Sequence, residues 1–297
     1  MKENKLKVRY YKDKINDDFA GTNIKQIELP DDYKYVNKNF FYRAIEIFLY
    51  WIFAKPLIWL YTKITIHQKF INKKVIKKVG KEGFFLYGNH TMLAQDAFIP
   101  NILAGRKNFI IVNPDAVSIK GIKTIVKMLG ALPLPTSLKS HKYFIDAINY
   151  HVDKGSLVTI YPEAHIWTYY TSIRPFSSAS FKYPVNMNKP VFCFTNVFVK
   201  SKLFFRKKPA VRTYIDGPFY PDTTLNKVDA NNKLRDEVYN TMVKRCEQHP
   251  KYKYKYDYIE SNYWITSICI VASSLERSTI ETLYLTVLSL LNVPFLK

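Results

Sequence analysis

The chain has 297 residues, of which 47% are hydrophobic and 16% aromatic, and only 9 are glycine. These values exclude a wholly disordered chain and a collagen-like one. Lys and Arg total 45 against 24 Asp and Glu, a formal net charge of +21. A charge of this size predicts an anionic partner, namely a membrane surface, a nucleic acid or an anionic substrate. The alternative is that AT-rich coding has raised the lysine content without functional meaning.

The cysteine pattern indicates the compartment. The three cysteines are Cys193, Cys246 and Cys269, and no two of them have the spacing of a metal or redox site. A sparse, odd count is typical of a reducing compartment. Residues 1–14 are charged and contain no apolar run, so they do not resemble a secretory signal. We therefore expect the functional part of the chain to face the cytoplasm.

Composition divides the chain into four segments. Residues 1–38 form a polar arm that we expect to be only partly ordered. Residues 39–79 hold an aromatic segment and then a lysine-rich one, and residues 80–262 have the pattern of an α/β domain. Residues 263–297 form an atypical hydrophobic tail. The tail is either a hairpin that docks on membrane or core or, slightly favoured, an out-of-frame or foreign extension that is dispensable.

The aromatic segment at 40–66 is too apolar for an ordinary surface helix, yet Arg43, Glu46, Lys55 and Pro56 interrupt it. A membrane-spanning helix needs about 20 apolar residues with few charges, and a proline breaks or kinks a helix. The sequence therefore predicts a hairpin of two short helices in the membrane interface, with a buried core hairpin as the alternative. The lysines that follow would then lie near anionic lipid, unless they form a plain solvated face.

Short apolar runs after residue 83 predict the strands of one sheet. The runs cover Phe84–Gly88, 109–112, 157–161, Val191–Val199 and 211–215. Because these runs are nearly continuous in hydrophobicity, they are typical of buried strands in a mostly parallel sheet. Helical patterns occur at 140–151 and 225–248. The predicted fold class is α/β, with a single mostly parallel or mixed sheet flanked by helices.

The strongest chemical signal follows the first predicted strand. Asn89 and His90 come directly after it, and Asp96 follows in the same stretch. A neutral histidine can take a proton from an alcohol while a carboxylate on its other nitrogen fixes the tautomer. That arrangement suits acyl transfer to a hydroxyl, although a histidine near an aspartate usually has no catalytic meaning.

A second signal follows another predicted strand, where the sequence Tyr-Pro-Glu-Ala-His begins at Tyr161 and contains Glu163. Ligands of open α/β sheets bind at the carboxyl ends of the strands. His165 and Arg174 lie close behind. His165 is either a structural histidine or a donor that orients an acceptor. For Arg174, a surface charge and a phosphate ligand are equally good interpretations.

These blocks, followed by Pro190-Val191, resemble in order the glycerol-phosphate and lysophosphatidate (1-acylglycerol-3-phosphate) acyltransferase superfamily, of the PlsC-like type. The resemblance covers about residues 64–242. The aromatic segment before it looks like the family's N-terminal membrane-anchoring helices. The resemblance implies a membrane-associated O-acyltransferase of phospholipid biosynthesis, at the cytoplasmic face and either monotopic or peripheral.

The resemblance also implies the roles of the site residues. His90 would deprotonate a hydroxyl that attacks an acyl thioester, and Asp96 would orient His90. The residues that would bind or position the glycerolipid acceptor are Asn89, Glu163, Arg174 and His165. The expected partners are a membrane lipid and either acyl-CoA or acyl carrier protein, with no metal, no other cofactor and no nucleic acid. The oligomeric state stays open.

Two departures from the family pattern bear on the site. Five residues rather than four separate His90 from Asp96, so that Gln95 occupies the family's aspartate position. We expect Asp96 to be the partner, because only a carboxylate supplies the charge that an imidazolium needs. The family's glycine after the glutamate is Ala164.

The block at 130–136 lacks the family's phosphate-binding arginine, which leaves the acceptor's phosphate open. The altered spacing and this missing arginine keep a non-catalytic lipid-binding protein on the same scaffold as the alternative. A basic nucleic-acid-binding protein is a second alternative.

Overall fold

A central mixed sheet organises the computed structural model, which describes residues 7–20, 28–118, 121–201, 209–249 and 254–259. The elements are β1 (Lys7–Tyr11), α1 (Phe40–Phe48), α2 (Lys55–Ile66), β2 (Lys69–Ile71), β3 (Phe84–Gly88), α3 (Ala94–Leu103), β4 (Asn108–Val112), α4 (Lys123–Met128), β5 (Ala131–Pro133), α5 (Leu138–Asp153), β6 (Leu157–Ile160), α6 (Lys182–Met187), β7 (Val191–Val199), β8 (Ala210–Phe219), α7 (Lys227–Glu247) and β9 (Tyr254–Tyr258). Short 3-10 helices lie at Lys73–Val79, Pro114–Val117 and Ala179–Phe181.

The main sheet has seven strands in the order β2-β8-β7-β3-β6-β4-β5. The five strands from β7 to β5 are parallel, β8 runs antiparallel to β7, and β2 runs parallel to β8. All residues of β3 and β6 are buried, as their continuous apolar runs predict. The predicted fold class is therefore confirmed.

Helices cover both faces of the sheet and enclose two apolar cores. On one face, Phe144 and Ile148 of α5 pack with Leu234 and Val238 of α7. On the other face, Ile99 of α3 packs with the apolar residues of the 3-10 helix at Lys73–Val79. The parallel strands thus end in a common edge between two packed layers, which is where ligands bind in open α/β sheets.

The described part of residues 1–38 is packed into this body rather than loosely attached. Leu29, Tyr33 and Tyr35 are buried in the core on the α5 side. The strand β1 pairs in parallel with β9, from the other end of the described chain. The expectation of a polar, only partly ordered arm missed these contacts, because three apolar residues within a charged stretch give a weak sequence signal.

The aromatic segment forms one continuous helix, and the predicted hairpin is wrong. A π-helical turn at Leu49–Ala54 joins α1 to α2, and the Lys55 N–H donates to the carbonyl of Tyr50. The wider turn accommodates Pro56, which lacks a donor and lies at the start of α2. The helix spans 27 residues and is long and apolar enough to cross a membrane by length and composition. The hydrophobic tail at 263–297 lies outside the described residues, so its dispensability stays a prediction.

The packing of the N-terminal residues can be tested by cavity formation. Leu29 is 4% exposed, whereas Leu138 at the start of α5 is 95% exposed. We expect Leu29→Ala to lower the free energy of unfolding by about 2–5 kcal/mol, and Leu138→Ala to change it little. Urea unfolding of both variants measures the difference. Equal, small effects would mean that the N-terminal residues do not contribute to the core.

Candidate active site

Two neighbouring strands bring the predicted motifs to one edge of the sheet. β3 pairs in parallel with β6, so the loops that follow Gly88 and Ile160 leave the sheet side by side. Gly88 ends β3 against the ring of Phe194, and a Cβ at Gly88 would lie 2.1 Å from that ring. A larger residue at this position would require the Phe194 ring to move. Glycine therefore allows β3 to end close to β7, just before the loop that carries His90.

His90 and Asp96 form a close pair. His90 Nδ1 lies 2.8 Å from Asp96 Oδ2, and the same oxygen accepts the Met92 N–H at 2.8 Å. Asp96 lies in the first turn of α3 and is almost fully buried. Burial raises the pKa of Asp96, while the hydrogen bond with His90 acts in the opposite direction. The extra residue between the two is absorbed in the irregular loop before α3.

Gln95 points away from this pair. Its Nε2 donates to the hydroxyl of Tyr61 on α2, at 3.3 Å. Gln95, at the family's aspartate position, therefore contacts the continuous helix at Phe40–Ile66, called the long helix below. The next residue, Asp96, contacts His90. The contact expected between His90 and Asp96 is present; its catalytic role is argued below.

Tyr161 packs against one face of the His90 imidazole. Its ring stacks on that of His90 with centroids 4.5 Å apart, and its hydroxyl donates to the backbone carbonyl of Asp96. Sequence analysis gave Tyr161 no role, although its place directly after β6, on the same edge as His90, was a usable signal. With Nδ1 directed at Asp96, Nε2 is the nitrogen that can act on a ligand.

A cavity of about 600 Å³ lies beside the histidine. Loops that follow β3, β4 and β6 line it, and its wall includes His90, Asn113, Leu134, Tyr161 and His165. Its volume is in the range of small-molecule binding sites. Among the described residues, no group of three or more His, Cys, Asp and Glu side chains could hold a metal ion.

A second, apolar cavity of about 310 Å³ adjoins the first at Leu93, which lines both. Its wall includes Ile66, Met92, Phe198 and Val211. It lies between the end of α2 and the loop between His90 and Asp96. An apolar space beside a candidate base is suited to an aliphatic chain.

Asn89 is buried and holds two strands together. Its side-chain nitrogen donates to the carbonyl of Asn196 at 3.0 Å, and its side-chain oxygen accepts the Asn196 N–H at 2.8 Å. Both ends of the amide are thus used between the end of β3 and β7. This geometry gives Asn89 a structural contact, and its role in binding the acceptor stays a prediction.

Arg174 and Glu163 form a fully buried ion pair, with 3.1 Å between Nε and Oε2. Arg174 also donates to the backbone carbonyls of Glu163 and His165. Burial raises the pKa of Glu163 to about 7, against the opposing effect of Arg174. Neither side chain lines the cavity, and both are used in contacts within the loop after β6. Their role in binding the acceptor stays a prediction.

His165 is the predicted acceptor residue that does line the cavity. Its Nδ1 lies 3.9 Å from the carboxylate of Asp18. Asp18 precedes α1 in the chain and also lines the cavity. The preceding Ala164 has φ +62°, the left-handed conformation that glycine adopts most easily. The family's glycine therefore has a conformational reason, and this chain adopts the same turn with alanine. Sequence analysis missed Asp18 because it lies far from the motifs along the chain.

The site residues lie in a part of the chain that matches a protein-family model. The model of the Acyltransferase family matches residues 63–196, which include His90, Asp96, Glu163 and Arg174. This stretch of the chain is therefore similar to the acyltransferase family that its motifs resemble. No curated protein matches the chain at a significant level.

Several chains of solved structures match this one, and one of them is an acyltransferase. It is the crystal structure of the 1-acyl-sn-glycerophosphate (LPA) acyltransferase PlsC from Thermotoga maritima. The TM-score is 0.48 and the sequence identity 14%, over 71% of this chain and 91% of that chain. A similarity at this level does not assign an activity or a substrate.

The buried ion pair can be tested by a double-mutant cycle. Arg174→Met should lower the free energy of unfolding by about 3–5 kcal/mol, because it leaves the Glu163 carboxylate buried without its partner. Adding Glu163→Gln should recover part of that loss. Urea unfolding of both single variants and the double variant measures the coupling. A folded, stable Arg174→Met protein with weakened acceptor binding would instead restore the substrate-binding role.

Proposed function

We propose that the protein is a membrane-associated O-acyltransferase that moves a fatty acyl group from an acyl thioester to a hydroxyl of a glycerolipid-type acceptor, such as lysophosphatidate. The observation that carries the proposal is the His90–Asp96 pair, at 2.8 Å, on the wall of a cavity of about 600 Å³. The match to the Acyltransferase family over the same residues supports it.

The geometry supports a general-base reaction without a covalent intermediate. Nε2 of His90 takes the proton of the acceptor hydroxyl, whose oxygen attacks the thioester carbonyl carbon. As the tetrahedral intermediate collapses, the C–O bond of the ester stays and the C–S bond breaks. The proton held by His90 passes to the departing thiolate. Asp96 accepts the Nδ1–H throughout, fixing the tautomer and stabilising the imidazolium.

The two cavities divide the substrates between them in this proposal. The larger cavity, beside His90, receives the acceptor, with His165 placed to orient it. The apolar cavity at Leu93 receives part of an acyl chain, because most of its wall is aliphatic or aromatic. The donor would be acyl-CoA or acyl carrier protein, whose thioester must reach His90 from the same edge of the sheet.

Membrane association is proposed from the inverted amphipathicity of the long helix. Its polar side chains face the protein: Glu46 pairs with Lys107 at 2.6 Å, Tyr50 bonds Asn101 at 3.0 Å, and Lys55 donates to the Ala104 carbonyl at 2.7 Å. Its apolar side chains are exposed, including Phe40, Phe41, Phe48, Ile52, Leu57 and Ile64. A helix in water buries its apolar face, so the outer face fits lipid.

The same contacts favour a helix that lies on the membrane over one that spans it. Spanning would withdraw Glu46, Tyr50 and Lys55 from their partners on the catalytic domain, and buried polar groups without partners are costly. In the interface, the helix keeps these contacts and buries its outer face among acyl chains. We place the domain on the cytoplasmic face, in agreement with the charge and the sparse cysteines.

Catalysis by the histidine–aspartate pair has a direct test. Asp96→Asn should lower the turnover of acyl transfer by at least about 10²-fold, because the uncharged amide cannot stabilise the imidazolium. Gln95→Ala, the neighbouring control, should cost little. The assay uses labelled acyl-CoA with acceptors that do and do not carry a phosphate, and His90→Ala as the blank. Equal losses in the two variants would exclude Asp96 as the specific partner.

The lipid-facing surface can be tested by one substitution at two exposed leucines. Leu57 on the long helix is 68% exposed and Leu138 on α5 is 95% exposed. Leu57→Glu should reduce the vesicle-bound fraction about tenfold or more, because a buried leucine contributes about 1.5–3 kcal/mol. Leu138→Glu should not reduce it. Cysteines placed at positions 39 and 67 should react from the same side of the vesicle; labelling from opposite sides would show a spanning helix.

A further inference from the structure

A basic cavity of about 300 Å³ lies at the edge of the sheet opposite His90. Phe109 near the start of β4, Ala131 at the start of β5 and Ser156 before β6 contribute to it, so it lies at the amino ends of these parallel strands. The cationic side chains on its wall are Lys34, Arg43, Lys107, Lys127 and Lys154, and its one carboxylate is Glu46. Nothing in the acyl-transfer mechanism uses this cavity.

The single carboxylate does not neutralise the cavity, because it is already paired. Glu46 forms its ion pair with Lys107, which also donates to the Met128 carbonyl at 3.1 Å. Within the part of the chain that the structure describes, the Lys127 ammonium donates to a backbone carbonyl, that of Lys34. Among the described residues, no carboxylate lies within ion-pair distance of Arg43, Lys127 or Lys154. The cavity therefore has a surplus of positive charge.

A buried histidine nitrogen adds a second, independent observation. The ring of His151 stacks on Phe109 with centroids 3.6 Å apart. Its Nε2 is buried and has no hydrogen-bond partner among the described residues. Burial and the nearby charges of Lys107 and Arg43 lower the pKa of His151 to about 3. The effect of Lys107 and Arg43 on this ring shows that their positive charges act together on this wall of the cavity.

The ligand class follows from this set of donors. An arginine fork, several ammonium groups and an imidazole match the oxygens of a phosphate, and the cavity has room for such a group. Ile47 and Trp51 of the long helix also line the cavity, and the exposed Phe48 lies between them in sequence. A phospholipid whose headgroup enters the cavity could thus lay its chains along the lipid-facing helix.

We propose that the basic cavity binds a phosphate-bearing anion, separate from the substrates at His90. A membrane phospholipid headgroup is the favoured source, because the cavity opens beside the apolar face of the long helix. A free phosphate ester has the same chemistry. The proposal does not depend on acyl transfer and holds for a catalytic or a non-catalytic protein.

The test uses the full chain and two probes. The first probe is phosphatidylcholine vesicles with and without phosphatidic acid, measured by cosedimentation. The second is inorganic phosphate, measured by amide hydrogen exchange at residues 34–46 and 150–156. The main variant is the double substitution Arg43→Gln with Lys154→Gln. Its control is Lys227→Gln with Lys244→Gln, which removes the same charge from exposed lysines of α7 outside the cavity.

The main variant should lose about tenfold or more of the binding that phosphatidic acid adds, since each cation near an anionic lipid contributes about 1 kcal/mol. The control should lose clearly less. Glu46→Gln should strengthen binding, whereas Glu237→Gln on α7 should not. Urea unfolding of each variant confirms that it is folded.

The outcomes separate the sources of the phosphate. Protection at residues 34–46 and 150–156 by vesicles alone supports a lipid headgroup, and protection by inorganic phosphate as well supports a site open to soluble esters. Equal loss of binding in the main variant and its control would overturn the proposal in favour of general charge attraction. Absence of protection with either probe would also overturn it. Acyl transfer to a soluble, short-chain acceptor should be unchanged in the main variant, so this result is independent of the proposed activity.

Discussion

The buried guanidinium of Arg174 is the contact on which the geometry of the site depends. It pairs with the Glu163 carboxylate and donates to the backbone carbonyls of Glu163 and His165, which fixes the loop after β6. It also reaches the carbonyls of Lys14 and Ile15, so the N-terminal residues are tied to the same loop. From that loop, the Trp167 N–H donates to the carbonyl of His90. A single buried cation thus links the N-terminal residues, the loop after β6 and the histidine.

A buried charge of this kind is weak evidence for stability, because desolvation opposes the attraction. The contribution of Arg174 is to hold the loop after β6 in place. In the proposed reaction, the imidazole presents Nε2 to a substrate within a few tenths of an ångström of its working position. Asp96 holds it through Nδ1, and the ring of Tyr161 covers one face. The reacting group is therefore placed by rigid contacts from the loops of two adjacent strands.

Sequence reasoning located the sheet and its active edge because those features depend on local signals. Continuous apolar runs gave the central strands, and polar residues directly after them gave His90, Asp96 and Glu163. It did not predict the buried contacts of Asn89 and Arg174. The sequence alone does not show whether the polar atoms of an amide or a guanidinium are used inside the protein or face a ligand. It also failed at Pro56, where the usual rule for proline assumes α-helical hydrogen bonding. A π-helical turn removes that assumption.

The long helix connects the two ends of the molecule. Ile47 and Trp51 line the basic cavity near its start, and Thr65 and Ile66 line the apolar cavity near its end. At about 1.5 Å per residue, these positions lie roughly 21–28 Å apart along the helix. A helix that lies flat on a membrane would therefore bring both cavities to the lipid surface together. One cavity would hold a headgroup while the other receives an acyl chain beside His90. The inward-facing polar residues make this orientation the one that satisfies both faces of the helix.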